Sequence, residues 1–138
     1  MTKHAFLSFE AEDRNLVGMF RDQVKDKDTG LSLVDHSVTQ PFGSSFSPYI
    51  RSQVTQKIRS APLTICLIGT RTANSPWVGW EIDTAVSLGR TLLGIRLHSD
   101  PTKDVPPPGL ISADAKVVNW DIDDIVTFIH RSSGAARV

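Results

Sequence analysis

The chain has 138 residues, of which 40% are hydrophobic and 22% are charged, and this composition indicates one folded domain rather than a disordered chain. Its 15 basic and 15 acidic side chains cancel to a formal net charge of zero, so binding of nucleic acid through an overall positive field is disfavoured. No apolar stretch is long enough to span a bilayer, and residues 1–5 lack a signal-peptide pattern. We therefore expect a cytoplasmic protein with neither a nucleic-acid nor a membrane partner.

Short apolar strands alternate with amphipathic helices from one end of the chain to the other. Strands are predicted at 4–9, 31–34, 62–69, 91–97 and 116–119. Helices are predicted at 12–24, from Pro48 to about residue 60, at 76–88, and from Asp121 onward. The stretch 35–47 is expected to be a loop, and the proline-rich stretch 99–115 a long surface connection.

This alternation predicts an α/β fold with parallel strand pairing and right-handed crossovers. We expect a doubly wound, five-stranded sheet in the order 2-1-3-4-5, as in flavodoxins and receivers, with helices on both faces. A single domain should span residues 1–138, with 3–130 as its core and 132–138 as a flexible tail.

Ligands of open parallel sheets bind beyond the carboxyl ends of the strands, an edge called here the carboxyl edge. Its polar and aromatic side chains suit a nucleotide, which needs hydrogen-bond donors, an acid for ribose hydroxyls and an apolar surface for a base. The candidates that the strand assignment places at this edge are Ser8, Phe9, Asp35, Arg71, Asn74, Ser75 and His98.

The helix that follows the most apolar strand starts with Ser75 and Pro76, a capping residue and a proline suited to the first helical position. Trp77 and Glu81 then lie four residues apart, on one face of that helix. A carboxylate beside an indole is a suitable place to stabilise a cationic, ring-shaped transition state. The alternative is an ordinary exposed acid on an amphipathic helix.

Other chemistry finds little support in the sequence. The phosphate-binding patterns G-x-x-x-x-G-K-[ST] and G-x-G-x-x-G are absent, and the four histidines have no metal-ligand spacing. Cys66, the only cysteine, lies inside an apolar strand and is expected to be a small buried residue. A receiver would need an acceptor Asp after the third strand, where this chain has Gly69-Thr70-Arg71.

Three segments in order resemble those of Toll/interleukin-1 receptor (TIR) domains, and more closely the short bacterial TIR-like proteins such as the sensor subunit of Thoeris antiphage defence. They are Ala5–Phe9 followed by Glu12-Asp13, the loop from Asp35 through Phe42-Gly43 to the helix at 50–60, and Trp77-Val78-Gly79-Trp80-Glu81. The last matches the W-x-x-x-E pattern of NAD-cleaving TIR domains. The resemblance covers about residues 3–130.

The resemblance implies an NAD+ glycohydrolase or ADP-ribosyl cyclase, with Glu81 as the catalytic residue and NAD+ as substrate rather than as a cofactor. Phe9 and Trp77 would wall the nicotinamide ring, Ser8, Asn74 and Ser75 would hydrogen-bond ribose or phosphate, and Arg71 would pair with the pyrophosphate. Asp35 is a further candidate for substrate binding. No metal is expected. The catalytic interpretation requires Glu81 to project, ionised, into a hollow at the carboxyl edge.

The family further implies self-association through TIR surfaces, activity that is low until subunits assemble, and a cyclic or linear ADP-ribose product that signals to a separate effector. Two alternatives remain open. The chain could be a TIR-like adaptor that acts only by binding other such domains, or a nucleoside deoxyribosyltransferase or other nucleotide-binding protein of similar topology.

Overall fold

The computed structural model describes residues 3–27, 29–35 and 48–135. The strands are β1 (Lys3–Ser8), β2 (Leu31–Val34), β3 (Leu63–Ile68), β4 (Thr91–Arg96) and β5 (Lys116–Asn119). The helices are α1 (Arg14–Asp26), α2 (Pro48–Ser60), α3 (Pro76–Ser87), α4 (Pro108–Ser112) and α5 (Ile122–Ala135). Within the described ranges, no helix combines the length and the apolar character that crossing a membrane requires.

The strands form one parallel sheet in the order β2-β1-β3-β4-β5, which confirms the predicted topology. From β1 the chain moves outward to β2, and it then returns to β3 and moves outward the other way. The strand order therefore reverses between β1 and β3, and at such a reversal a crevice opens at the carboxyl edge.

The sheet separates two hydrophobic cores. One lies between the sheet and α1 and α5, and the other between the sheet and α2, α3 and α4. All six residues of β3 are buried, because this central strand is covered on both faces. Alternate residues of each strand face alternate cores, so the strand position of a side chain decides on which side of the sheet it lies.

The structure differs from the sequence-based expectations at two helices. The predicted surface connection contains α4, whose Leu110 is fully buried. Helix α5 continues to Ala135, beyond the predicted core of 3–130, and the flexible tail expected at 132–138 stays a prediction. Residues 36–47 lie outside the described part of the chain, and so does the assembly loop that was predicted there.

Candidate functional site at the carboxyl edge

Helix α3 begins as its sequence predicts. The Ser75 hydroxyl oxygen accepts a hydrogen bond from the Val78 N–H at 3.2 Å, and Pro76 occupies the first turn, where its missing N–H costs nothing. Ser75 therefore holds the start of the helix that carries Trp77 and Glu81. Its expected contact with substrate stays a prediction.

Glu81 lies at the centre of the candidate site. The Ser8 hydroxyl, at the end of β1, donates a hydrogen bond to Glu81 Oε1 at 2.6 Å, and both residues have 0% exposed surface. Hydrogen bonds from hydroxyl groups to ionised carboxylates are typically 2.5–2.7 Å long, whereas those between neutral oxygens are longer. The Ser8–Glu81 distance lies in the range of such charge-assisted hydrogen bonds, and the contact holds Oε1 at the end of β1.

Cys66 is the third side chain at this place. It is the register partner of Ser8 on the neighbouring strand β3, and its side chain is fully buried. Burial raises the pKa of the Cys66 thiol, and the negative charge of Glu81 raises it further. Glu81 thus packs over the ends of β1 and β3, beside the crevice at which the strand order reverses.

The burial of Glu81 corrects one sequence-based expectation. An open hollow around an accessible carboxylate was expected, but in this conformation the side chain has no exposed surface. Three cavities formed by described residues are lined by other side chains: about 470 Å³ between α1 and β2, about 420 Å³ between α3 and α4, and about 310 Å³ between β2 and α2. Glu81 is held within the protein because the Ser8 hydroxyl binds its carboxylate against the sheet.

The two aromatic candidates lie on opposite faces of the sheet. Trp77 is half-buried against the core of α2, α3 and α4, with its ring centroid 5.1 Å from that of Trp80. Phe9 is 4% exposed and packs in the core of α1 and α5. The structure therefore does not bring Phe9 and Trp77 together around one ring, because Phe9 turns to the opposite face.

The remaining candidates are dispersed along the edge. The Asp35 carboxylate forms an ion pair with Arg21 of α1, and its carbonyl oxygen accepts a hydrogen bond from Lys57 Nζ of α2 at 3.0 Å. Arg71 is exposed, and its Nε lies 3.5 Å from Glu12 Oε1. Asn74 is exposed at the end of a short 3₁₀ turn. Asp35 joins α1 and α2 across the end of β2, whereas Arg71 and Asn74 remain open to solvent.

A second group of titratable residues lies at this edge, and sequence reasoning missed one of its members, Asp104. Asp104 is fully buried, its Oδ1 lies 2.7 Å from His98 Nδ1, and its Oδ2 accepts the His98 N–H at 2.7 Å. Asp13 is buried beside this pair, with a raised pKa caused first by burial and then by the charge of Glu12, while His98 lowers it. Asp13 and His98 follow from strand order, because each comes after the end of a predicted strand, whereas Asp104 lies in a connection without periodicity. Among the described residues, no group of three His, Cys, Asp or Glu side chains is arranged to hold a metal ion.

Comparison with known proteins identifies one family and several solved structures of similar fold. The family model of the Thoeris protein ThsB, TIR-like domain, matches residues 6–102. The 2-deoxyribosyltransferase from Bacillus psychrosaccharolyticus is similar in structure, with a TM-score of 0.62, 17% identity, and coverage of 89% of this chain and 90% of that one. No curated protein sequence matches this chain significantly.

Two further structures are similar over part of their length. The 2-desoxiribosyltransferase from Leishmania mexicana has a TM-score of 0.51 and 19% identity, covering 67% of this chain and 63% of its own. The TIR domains of the activated Roq1 resistosome have a TM-score of 0.50 and 19% identity, covering 73% of this chain and 61% of their own. At these identities the structural likeness establishes the fold alone.

Proposed function

This chain belongs to the TIR-like domain family of the Thoeris protein ThsB, and from that premise we propose that it cleaves NAD+ at the bond between nicotinamide and ribose. Glu81 is the catalytic residue of this proposal. It occupies the fifth position of the W-x-x-x-E segment, one helical turn after Trp77 and beside the crevice between β1 and β3.

The observation that carries the proposal is the buried Ser8–Glu81 hydrogen bond. Moving a carboxylate out of water costs several kcal/mol unless other groups compensate, so folds seldom bury one without a use for it. Perturbed carboxylates at the ligand-binding edge of a sheet are typical of catalytic sites. A non-enzymatic adaptor has no need of such a group.

The chemistry requires stabilisation of positive charge. Nicotinamide carries a positive charge in NAD+ and leaves as a neutral molecule, so its departure needs no strong general acid. The ribosyl group becomes oxocarbenium-like as the bond breaks, as in glycoside cleavage. An ionised Glu81 stabilises that charge and binds the ribose hydroxyls, while Trp77 provides an apolar wall.

The group that captures the ribosyl cation decides the product. Water gives ADP-ribose and one proton. A hydroxyl or base nitrogen of the same molecule gives a cyclic ADP-ribose isomer. In antiphage defence either product would act as a nucleotide signal that a separate effector detects, so this chain and its effector would not need to touch.

The burial of Glu81 bears on when this reaction occurs. This conformation does not meet the requirement that Glu81 project into a hollow, because its side chain has 0% exposed surface and could not contact a sugar. The proposal therefore requires the site to open before NAD+ binds. Low activity of the isolated subunit, with activation on assembly, is therefore part of the proposal.

The test follows nicotinamide release from NAD+ by the wild-type protein, by Glu81→Gln and by Asp83→Asn. Glu81→Gln keeps the shape of the side chain and removes its charge, so we expect nicotinamide release to fall at least about 100-fold. Asp83→Asn makes the same chemical change at an exposed position of the same helix, and we expect wild-type turnover. Unchanged turnover in Glu81→Gln would remove Glu81 from the mechanism.

The same assay separates the alternatives. The similarity in fold to 2-deoxyribosyltransferases makes transfer between nucleobases the second candidate, and release of a base from 2′-deoxyribonucleosides but not from NAD+ would favour it. An adaptor would turn over neither substrate at any protein concentration.

A further inference from the structure

We propose that Ser8 is a positioning residue for Glu81, which orients the carboxylate and keeps it ionised inside the protein, rather than a residue that binds substrate. This inference rests on the proposed function, because it assigns Ser8 a part in the same reaction. It also replaces the role that the sequence suggested for Ser8.

The geometry leaves the Ser8 hydroxyl committed to Glu81. Its single proton is donated to Oε1 at 2.6 Å, and the side chain has no exposed surface from which to contact a ribose. Ser8 lies at the end of a strand in the middle of the sheet, whereas Glu81 is on a helix 73 residues further along the chain. The hydrogen bond therefore ties the position of the carboxylate in α3 to a rigid part of the sheet.

The electrostatics give this hydrogen bond a chemical role. In a buried place the charged form of a carboxylate is disfavoured, and a donor to the charged form opposes that effect. Cys66, beside Ser8 on β3, is the titratable neighbour that senses the Glu81 charge, since this charge contributes to the raised pKa of the thiol. A neutral Glu81 could not stabilise an oxocarbenium ion, so only molecules with an ionised Glu81 would be active. Because the Ser8 hydroxyl favours the ionised form, it would raise the fraction of active molecules.

The experiment compares the pH dependence of nicotinamide release in the wild-type protein, Ser8→Ala, Ser8→Thr and Cys66→Ala. Ser8→Ala leaves the buried carboxylate without this donor, so we expect activity at neutral pH to fall roughly 10- to 100-fold. The acidic limb of the pH profile should move to higher pH by about one to two units. Ser8→Thr keeps a hydroxyl and suits a strand, and it should restore both quantities to within a few-fold of the wild type.

Cys66→Ala is the matched control, because it also truncates a small, fully buried residue of the neighbouring strand on the same side of the sheet. A packing role alone would give Ser8→Ala and Cys66→Ala the same modest loss, with no movement of the acidic limb. That result, or an unmoved limb in Ser8→Ala, would overturn the proposal.

A measurement without turnover separates this proposal from the proposed function. The chain has three glutamates, Glu10, Glu12 and Glu81, so carbon NMR of protein labelled at the glutamate carboxyl groups resolves the titration of Glu81. We expect its midpoint to rise in Ser8→Ala and to stay unchanged in Cys66→Ala, whether or not NAD+ is the substrate. Loss of turnover in Glu81→Gln without any effect of Ser8→Ala on the profile or the midpoint would refute the role of Ser8 alone.

Discussion

Asp13 occupies the position before α1 where an aspartate commonly caps a helix, yet its side chain makes no capping hydrogen bond. Asp13 turns inward and is 7% exposed, and its Oδ2 has no hydrogen-bond partner among the described residues. It packs so closely on Gly69 that a Cβ there would lie 2.2 Å from Oδ2, so any larger residue at this position would displace the Asp13 carboxyl group. Burying a carboxyl oxygen without a hydrogen-bond partner is unfavourable, so Asp13 is a second candidate for a functional residue, in addition to Glu81.

The raised pKa of Asp13 predicts how the protein responds to pH. A carboxyl group whose folded pKa lies above its unfolded value binds its proton more tightly in the native state. Its favourable contribution is therefore present in acid and is lost as the pH rises through the folded pKa. At neutral pH the buried charge lowers the free energy of unfolding, and the first cause is desolvation.

We therefore expect Asp13→Asn to unfold at a higher temperature than the wild type at pH 7. The difference should shrink as the pH falls and vanish below about pH 4, where an unfolded aspartate is also protonated. Asp22→Asn, at an exposed position of α1, is the control and should leave the unfolding temperature unchanged. Thermal unfolding followed by circular dichroism at several pH values measures both. A less stable Asp13→Asn at pH 7 would show that the carboxylate has a favourable partner.

Among the secondary-structure elements, α4 shows why a short helix is not predicted from the sequence. Helix α4 has five residues, fewer than two turns, so no periodicity is visible in it. Its Pro108 suits a helix start, but four prolines in 99–115 indicate a loop equally well. Only the contact with α3 shows why it forms, since Leu110 is fully buried in the shared core.

The contact between α3 and α4 depends on Gly109. A Cβ at Gly109 would lie 2.9 Å from Ile82 Cγ2, and Ile82 is a fully buried, stiff β-branched side chain. At Gly79, within α3, a Cβ would meet no atom within 4 Å. Both glycines lie in helices, but only Gly79 has room for a larger side chain.

The same substitution at these two positions should have opposite effects on stability. We expect Gly109→Ala to lower the free energy of unfolding by about 1–3 kcal/mol, because α4 has to move away from Ile82. Gly79→Ala should raise it by about 0.5–1 kcal/mol, because alanine favours the helix and finds open space. Urea denaturation of both variants measures the difference. Equal effects would mean that α4 moves away without cost.

For the whole molecule, the burial of Glu81 and the family membership together point to control by assembly. Under the proposed function, a subunit with Glu81 enclosed would have low activity until a change opens the site. Contacts between subunits stabilise the conformation that associates, and the proposal takes that conformation to be the open one.

We therefore expect nicotinamide released per subunit to rise with protein concentration, in parallel with the mass measured by light scattering. A carrier protein without activity, added to the same total concentration, should leave the turnover unchanged. Constant turnover per subunit across a range in which the measured mass rises from that of a monomer to that of an oligomer would refute control by assembly.

The sequence by itself determined the sheet and its surroundings, because strands and helices of ordinary length leave strong hydrophobic periodicities. The order β2-β1-β3-β4-β5, the start of α3 at Ser75 and Pro76 and the buried Cys66 were all predicted from the sequence. Trp77 and Glu81 on one side of α3 follow from helical spacing. The membership of the family was also visible in three short segments.

Only the tertiary structure decided how the side chains at the carboxyl edge are paired. Ser8 with Glu81 and Asp35 with Arg21 are contacts between different parts of the chain, and His98 with Asp104 is a contact within one irregular connection. Their partners depend on which face of the sheet each side chain takes and on how deeply it is buried. Local sequence carries no record of either, because burial is a property of packing between elements. For that reason the sequence could only propose Glu81 as the catalytic acid, while the structure shows it enclosed and hydrogen-bonded to Ser8.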